Sequence, residues 1–371
     1  MPRLGTALHL PAKGTGLPAG SGTRAATVTA PSFVSPESRA ARLVVVGEQA
    51  VRAAEVVICI PARDEEALLP RCLAALAPQL SPLRAAIVLI VNNSRDATAR
   101  IALAKAREWR LPLILWEGRI EAGGVGAARR LGGRLVRDRA PRCRFLLSTD
   151  ADAVPAPGWI AAMAGALRWA DAATGLVQPI PAELAAMPQA FHCQSALHAR
   201  YLQLTEEFLS LVAPRGGQGL NLASGANFGI RFDAYEGVGG YAPLASHEDR
   251  DLLARLRTGG WRLAHAKDAL VQVSMRAEGR APDGMSSGIA QRLAGLPATD
   301  SALRPLSTLL RQPFEQTRGA DPVSTSDFVT SDIAALAQWV ERLSRCPTDQ
   351  AREHLLWREY CATHRRPGAA S

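Results

Sequence analysis

The 371 residues are 47% hydrophobic and 21% charged, a globular composition with apolar material for one large domain or two modest ones. Aromatic residues make up only 5%, so stacking platforms for single-stranded nucleic acid are scarce and the core must be built from Ala, Leu, Val and Ile. The net charge of +9 is densest at the start, where Arg3, Lys13, Arg24, Arg39, Arg42 and Arg52 face only Glu37 and Glu48; beyond that both signs interleave.

No basic helix of the nucleic-acid-binding kind is present, so nucleic acid is not expected as a partner. The charge suits a diphosphate-bearing substrate, and equally a peripheral contact with an anionic membrane surface at its inner face. Six cysteines (Cys59, Cys72, Cys143, Cys193, Cys346 and Cys361) are scattered without a CxxC pair. They argue against a zinc site or a disulfide framework and read as free thiols in a reducing cytoplasm. The longest apolar run, Ala85 to Val91, is strand-sized and far short of a bilayer span.

Residues 1–53 are rich in Gly, Pro, Ala, Ser and Thr with little periodicity, and are expected to form a disordered leader. The segment is Arg-bearing and acid-poor like a transit peptide, without the charged-then-apolar order of a secretory signal. From residue 54 a regular alternation begins. Val56–Pro61 is a short strand, followed by a helix from about Arg71 to Leu80. Ala86–Val91 is a buried strand, followed by a helix from Asp96 to Trp109. Leu111–Trp116 is a third strand, then a Gly-rich turn and a helix from about Val125 to Arg139. Arg144–Thr149 is a fourth strand. Strands of this length separated by helices predict βαβ units and a parallel sheet covered on both faces.

After Asp152 the pattern loosens. Helices are expected over Gly158–Trp169 and Gln189–Leu211, and a Gly-rich segment over Gly216–Gly229. A further helix starts near Ser246, and two short strands follow, Trp261–His265 and Ala269–Ser274. Residues 296–371 read as a helical tail, with Ile333, Leu336, Trp339, Val340 and Leu343 on one face and a second helix capped by Thr348.

In a sheet of this kind ligands sit outside the carboxyl ends of the strands, and each polar motif falls at such an end. The first strand runs into Pro61-Ala62-Arg63-Asp64-Glu65-Glu66. Carboxylates there repel phosphate but suit a base or ribose, while Glu65 and Glu66 would equally favour a helix N-terminus. The second runs into Asn92-Asn93-Ser94-Arg95-Asp96, short polar groups that can read a nucleobase edge or close a turn and cap a helix. Gly123-Gly124-Val125-Gly126 follows the third strand without P-loop or dinucleotide spacing; its glycines let a ligand approach the backbone, and Arg129 can meet a phosphate or simply be solvated. Thr149-Asp150-Ala151-Asp152 is the sharpest signal. Two carboxylates at i and i+2 past a buried strand are suited to a divalent cation that also bridges a diphosphate. Ser224-Gly225-Ala226-Asn227 and Ser246-His247-Glu248-Asp249 come last, and the acidic pair can supply a general base or cap a helix.

The succession PARDEE, NNSRDAT, GVGAARRLG, TDAD, SGANFGIR and HED resembles the family 2 glycosyltransferases, over about residues 54–280. Their counterparts are PxxNEE, a turn bearing Asp-Asp or Asp-Asn, a GxxxARN turn, DxD and an Glu-Asp pair. The resemblance implies an α/β fold of GT-A type, a Rossmann-like, mostly parallel sheet flanked by helices; residues 281–371, which it does not cover, are expected from their own pattern to form a helical C-terminal extension. It implies transfer of a sugar from a nucleotide-sugar donor to an acceptor hydroxyl, inverting and dependent on Mg²⁺ or Mn²⁺; small molecule, lipid and glycan acceptors stay open. Pro61, Asp64 and Glu65 would lie beside the nucleoside, and Asn92 or Asn93 where the family has a base-reading aspartate. Arg129 would lie near the diphosphate. Asp152 would be the metal ligand, with Asp150 on ribose or metal. Gly225, Ala226 and Asn227 would line the sugar pocket, with Asp249 as catalytic base and Glu248 beside it. Arg276 and Arg280 sit in a segment that in this family often closes over the diphosphate.

Asparagine in place of aspartate at both 92 and 93 leaves the base identity open, and no QxxRW pattern of processive synthases occurs. Two rival readings are a sugar-phosphate nucleotidyltransferase and a non-catalytic nucleotide or carbohydrate binder. The first expects a Gly-rich basic loop where this chain has PARDEE; the second must explain why Asp150, Asp152, Glu248 and Asp249 are all kept.

Overall fold

The computed structural model describes residues 41–212, 224–279, 285–294, 305–311 and 325–364. The chain opens with β1 (Arg42–Val46) and α1 (Glu48–Ala53). It continues through β2 (Val56–Ala62), α2 (Leu69–Leu80), β3 (Ala85–Asn92), α3 (Thr98–Glu108), β4 (Leu113–Gly118), α4 (Gly124–Arg139) and β5 (Phe145–Ser148). The four strands and three helices expected here are those observed, within a few residues at each end.

Next come β6 (Val154–Pro155), α5 (Trp159–Ala166), β7 (Ala172–Pro179), α6 (Pro181–Ala185), α7 (Gln189–Val212), β8 (Phe228–Arg231), α8 (Phe232–Gly237), α9 (Glu248–Thr258) and β9 (Leu263–Val273). Four further helices follow, α10 (Met285–Leu293), α11 (Leu306–Arg311), α12 (Thr325–Ser344) and α13 (Asp349–His364).

Among the described residues one sheet of nine strands runs β1-β4-β3-β2-β5-β8-β7-β9-β6. Strands β2, β3, β4, β5, β7 and β9 run one way, and β1, β6 and β8 run against them. The period of two divides β2 between two cores. Val56, Ile58 and Ile60 pack with α2, α3 and α5, whereas Val57 and Cys59 pack with α4, α8 and α9. Strand β2 pairs with β3 on one side and β5 on the other, so the chain reverses its direction of travel across the sheet between them. That reversal opens a crevice at the carboxyl ends of β2 and β5.

Three expectations are corrected. Residues 42–53 were read as leader, but Arg42–Val46 pairs antiparallel with β4 and Val51 of α1 is fully buried. The β-branched run covers an edge that β4 would otherwise expose. Residues 1–40 of the expected leader lie outside the described residues. The two short strands after α9 are one, β9, in which a bulge at Ala266–Leu270 opposite Gly175 and Leu176 replaces the expected break. Strands β7 and β8 were not expected; a glycine interrupts the apolar run of AATGLVQP, and FGIR is only 4 residues long.

The helical tail packs on α7. Tyr201, Leu204 and Phe208 of α7 share a core with Leu306, Leu309, Leu336, Trp339, Leu343 and Leu356. Thr348 caps α13 as expected, its Oγ1 accepting the Ala351 N–H at 3.2 Å. Trp357 of α13 is half exposed. No helix among the described residues is long and apolar enough to cross a membrane.

Candidate active site

The loops that follow β2 and β3 are sewn together. Asp64 takes a left-handed φ of 52°, which aspartate tolerates better than most residues. Its N–H donates to Ser94 Oγ at 3.0 Å, and its Oδ1 accepts the Arg95 N–H at 2.7 Å. Glu65 N–H donates to Thr98 Oγ1 (2.8 Å), Glu66 N–H to Asp96 Oδ2 (3.0 Å), and Ala97 N–H to Glu66 Oε2 (3.0 Å). Much of the polar content that the sequence offers to a nucleobase therefore closes these loops. Asn93 is also committed: its Oδ1 accepts the Ile120 N–H at 2.7 Å and its Nδ2 donates to the Ile120 carbonyl at 2.9 Å. Asn92 lies buried at the last position of β3, and Pro61 lies half-buried in β2 opposite Ile90.

The Gly-rich turn does admit a close approach, by this chain rather than by a ligand. A Cβ on Gly126 would stand 2.3 Å from the Ala242 carbonyl oxygen, and one on Gly124 would stand 2.8 Å from Ala245 Cα. Gly126 N–H donates to the Leu244 carbonyl at 3.0 Å. The segment 242–245 seated there leads into α9, and so delivers Glu248 against Arg129 of α4.

Arg129 is only 2% exposed. Its Nη1 pairs closely with Glu248 Oε1, its Nη2 meets Asp150 Oδ1 at 2.6 Å, and its Nε donates to Ser148 Oγ at 3.0 Å. The close approach at Gly225 leaves no room for a Cβ, which would stand 2.5 Å from Arg129 Nη2. Arg129, expected near the diphosphate, joins the strand-end Asp150 to the helix-start Glu248. Burial would lower its pKa, but Glu248 and Asp150 outweigh that and hold the guanidinium above its ordinary value. Burial raises the pKa of Glu248 and of Asp150, with Arg129 opposing in each case.

A second arginine spans the crevice from the other side. Arg276, three residues past β9, grips Glu65 with both Nη atoms, one at 3.0 Å from Oε2 and the other in close contact with Oε1. Its Nη2 also lies 2.8 Å from Asp152 Oδ2. Burial raises the Asp152 pKa; Arg276 opposes it and the neighbouring Glu65 adds to it. The root of the Arg276 segment is held by Glu183 of α6, whose Oε2 accepts Ser274 Oγ–H (2.9 Å) and Met275 N–H (2.8 Å). Its Oε1 takes Arg71 Nη1 and Nη2 of α2, both at 3.2 Å. The sequence offered no signal for Glu183, an isolated carboxylate in a short helix.

Asp249 Oδ2 accepts the Gly225 N–H at 2.7 Å, which ties the SGAN turn to the start of α9. Asn227 was expected to line the sugar pocket, but it is 0% exposed and fully engaged in the fold. Its Oδ1 accepts Trp159 Nε1–H at 2.8 Å, and its Nδ2 donates to the carbonyls of Leu176 (2.7 Å) and Ala269 (2.8 Å), pinning the bulge of β9. Arg280 lies outside the described residues.

The crevice thus gathers five carboxylates, Glu65, Asp150, Asp152, Glu248 and Asp249, around two guanidiniums, Arg129 and Arg276. Asp150 and Asp152 are hard oxygen donors of the kind Mg²⁺ or Mn²⁺ takes. Among the described residues no three His, Cys, Asp or Glu side chains converge into a ready-made cage.

Residues 57–239 match the sequence model of glycosyl transferase family 2. Over these residues the chain is a family 2 glycosyltransferase. Among solved structures the glycosyltransferase is similar to S. aureus TarS residues 1–349 in complex with UDP-GlcNAc, at 13% identity and a TM-score of 0.46, over 84% of this chain and 93% of that one. It is similar also to the mannosyltransferase PcManGT from Pyrobaculum calidifontis in complex with GDP-Man and Mn²⁺, at 15% identity and a TM-score of 0.43, over 84% of this chain and 81% of that one. M. tuberculosis glucosyl-3-phosphoglycerate synthase gives 18% identity and a TM-score of 0.38, over 67% and 84%. Among curated proteins none matches the transferase.

Proposed function

We propose that this glycosyltransferase moves a sugar from a nucleoside diphosphate donor to an acceptor hydroxyl by inverting displacement, with Asp249 as general base. The observation that carries the reading is the coupling of α9 to the end of β5 through Arg129. By pairing Glu248 and Asp150 at once, it holds the start of α9 against the end of β5, so that Asp249 lies close enough to act electrostatically on Asp150.

Asn92 is the base-reading group in this scheme, because Asn93 is already bonded to Ile120. Its amide oxygen accepts a uracil or guanine N–H without adding charge. Asp150 and Asp152 would hold a divalent cation, Mg²⁺ or Mn²⁺, which supplies charge neutralisation for the departing diphosphate. Asp249 takes the acceptor hydroxyl proton as that oxygen attacks the anomeric carbon, and the Gly225 N–H fixes the direction its carboxylate faces. Glu248 touches no substrate in this scheme; it positions Asp249 through Arg129.

The test is nucleotide release from a panel of UDP-, GDP- and dTDP-sugars. Asp249→Asn should keep donor affinity and lose turnover by on the order of a hundredfold or more, the usual worth of a positioned base. Full turnover in that variant, with Glu248→Gln inactive, would reverse the two roles. Stabilisation by nucleoside triphosphates rather than diphosphates would favour a nucleotidyltransferase.

A further inference from the structure

We infer that Arg276 is a resident counter-ion that competes with the divalent cation for Asp152, so that a nucleoside diphosphate that draws the guanidinium away strengthens metal binding. The inference rests on the reading of Asp152 as a metal ligand. The Arg276 guanidinium bridges Glu65, past the end of β2, and Asp152, past the end of β5. These strands flank the reversal of the sheet, so Arg276 fills the middle of the crevice.

The root of Arg276 does not swing. Glu183 holds Ser274 and Met275 by hydrogen bonds, and itself is held by Arg71. Met275 is buried with Phe191 and Ile289, and Ala277 packs on the same cluster. Release therefore occurs by rotation of the Arg276 side chain, not by opening of the segment. That side chain is 24% exposed, whereas Arg129 is nearly sealed among its three partners. Of Arg129 and Arg276, the latter is the one that can move.

Guanidinium and dication seek the same Asp152 oxygen, and at bonding distance from it they repel each other. A diphosphate resolves the conflict. Its oxygens match the planar fork of arginine at least as well as Glu65 and Asp152 do. Arg276 then exchanges carboxylate for phosphate, and Asp152 is released to the metal. Donor and metal binding become mutually favourable, and each must strengthen the other by the same factor.

The test follows Mn²⁺ binding to the full chain by calorimetry and by the electron paramagnetic resonance of free Mn²⁺, with and without saturating UDP or GDP. Arg276→Gln should bind Mn²⁺ alone about tenfold or more tighter than the native chain, the scale on which a neighbouring arginine alters a carboxylate. Arg276→Lys, which keeps the charge, should stay close to the native chain. The nucleotide should strengthen Mn²⁺ binding more in the native chain than in Arg276→Gln. Melting curves establish that the variants are folded; if the Gln variant is not, Arg276→Met takes its place with the same expectation. Equal Mn²⁺ affinity and equal nucleotide enhancement in the native chain and the uncharged variant would overturn the competition. Nucleotide-dependent Mn²⁺ binding that survives Asp152→Asn would instead overturn the metal-ligand reading on which it stands.

Discussion

Replacing Arg129 with Met removes the cation shared by Asp150 and Glu248 while leaving an apolar side chain to fill the same space. The two carboxylates do not suffer equally. The Asp150 side chain is 39% exposed and can rehydrate, so its share of the loss is small. That of Glu248 is 4% exposed, and removing its partner strands a buried charge. Breaking a buried pair in this way costs about 3–5 kcal/mol. Glu248 can escape part of that cost by taking up a proton. Burial already raises its pKa against the pull of Arg129, and without Arg129 the rise grows. A carboxyl whose folded pKa lies above its unfolded one holds more protons in the folded state. The stability it contributes is present at low pH and lost as pH rises through the folded pKa. The deficit of Arg129→Met should therefore be small near about pH 5 and grow toward about pH 8. Urea unfolding followed by tryptophan fluorescence at the two pH values measures it, with an unchanged denaturant slope as the control. In Arg129→Met with Glu248→Gln most of the high-pH deficit should return, because glutamine carries no charge. A deficit under about 1 kcal/mol at both pH values, unaltered by the second substitution, would refute the assignment of Arg129 as counter-ion to a buried Glu248.

Asn227→Ala removes three hydrogen bonds at once, among them the one that satisfies the buried Trp159 N–H. A loss of about 3 kcal/mol or more in urea unfolding is expected, and one below about 1 kcal/mol would mean that the bulge of β9 relaxes to pair that N–H. Gly126→Ala places a Cβ 2.3 Å from the Ala242 carbonyl oxygen and should push segment 242–245 off α4. The fold should survive by circular dichroism while nucleotide release falls; full activity would show that another contact seats α9. Truncation at about residue 300 uncovers Tyr201, Leu204 and Phe208 of α7, so light scattering should report aggregation. A soluble, fully active shortened enzyme would make the tail an independent appendage.

Four of the nine strands and the helices between them were legible because a run such as AIVLIV, buried at every position, has few alternatives to the middle of a parallel sheet. The place of each polar motif followed, since chain that leaves such a strand must emerge at its carboxyl end. The strand Arg42–Val46 could also have been read, from three consecutive valines, but the Gly- and Pro-rich residues before it coloured the whole segment. Strands β7 and β8 lacked any such run. Their position follows from pairing with partners far along the chain.

By itself, then, the sequence determined where chemistry could stand, because strand burial and motif order are local properties of the chain. Only the tertiary structure decided which polar groups are left for a substrate. Arg129 and Glu248 are 119 residues apart, and Arg276 and Glu65 are 211 apart. A buried polar group takes whichever partner the fold brings within reach, and it must take one. Asn93 found the Ile120 backbone, Asn227 found Trp159 and two carbonyls, and Arg129 found Asp150 and Glu248. The same demand set Arg276 across Glu65 and Asp152, because carboxylates crowded out of water hold whatever cation the fold brings within reach.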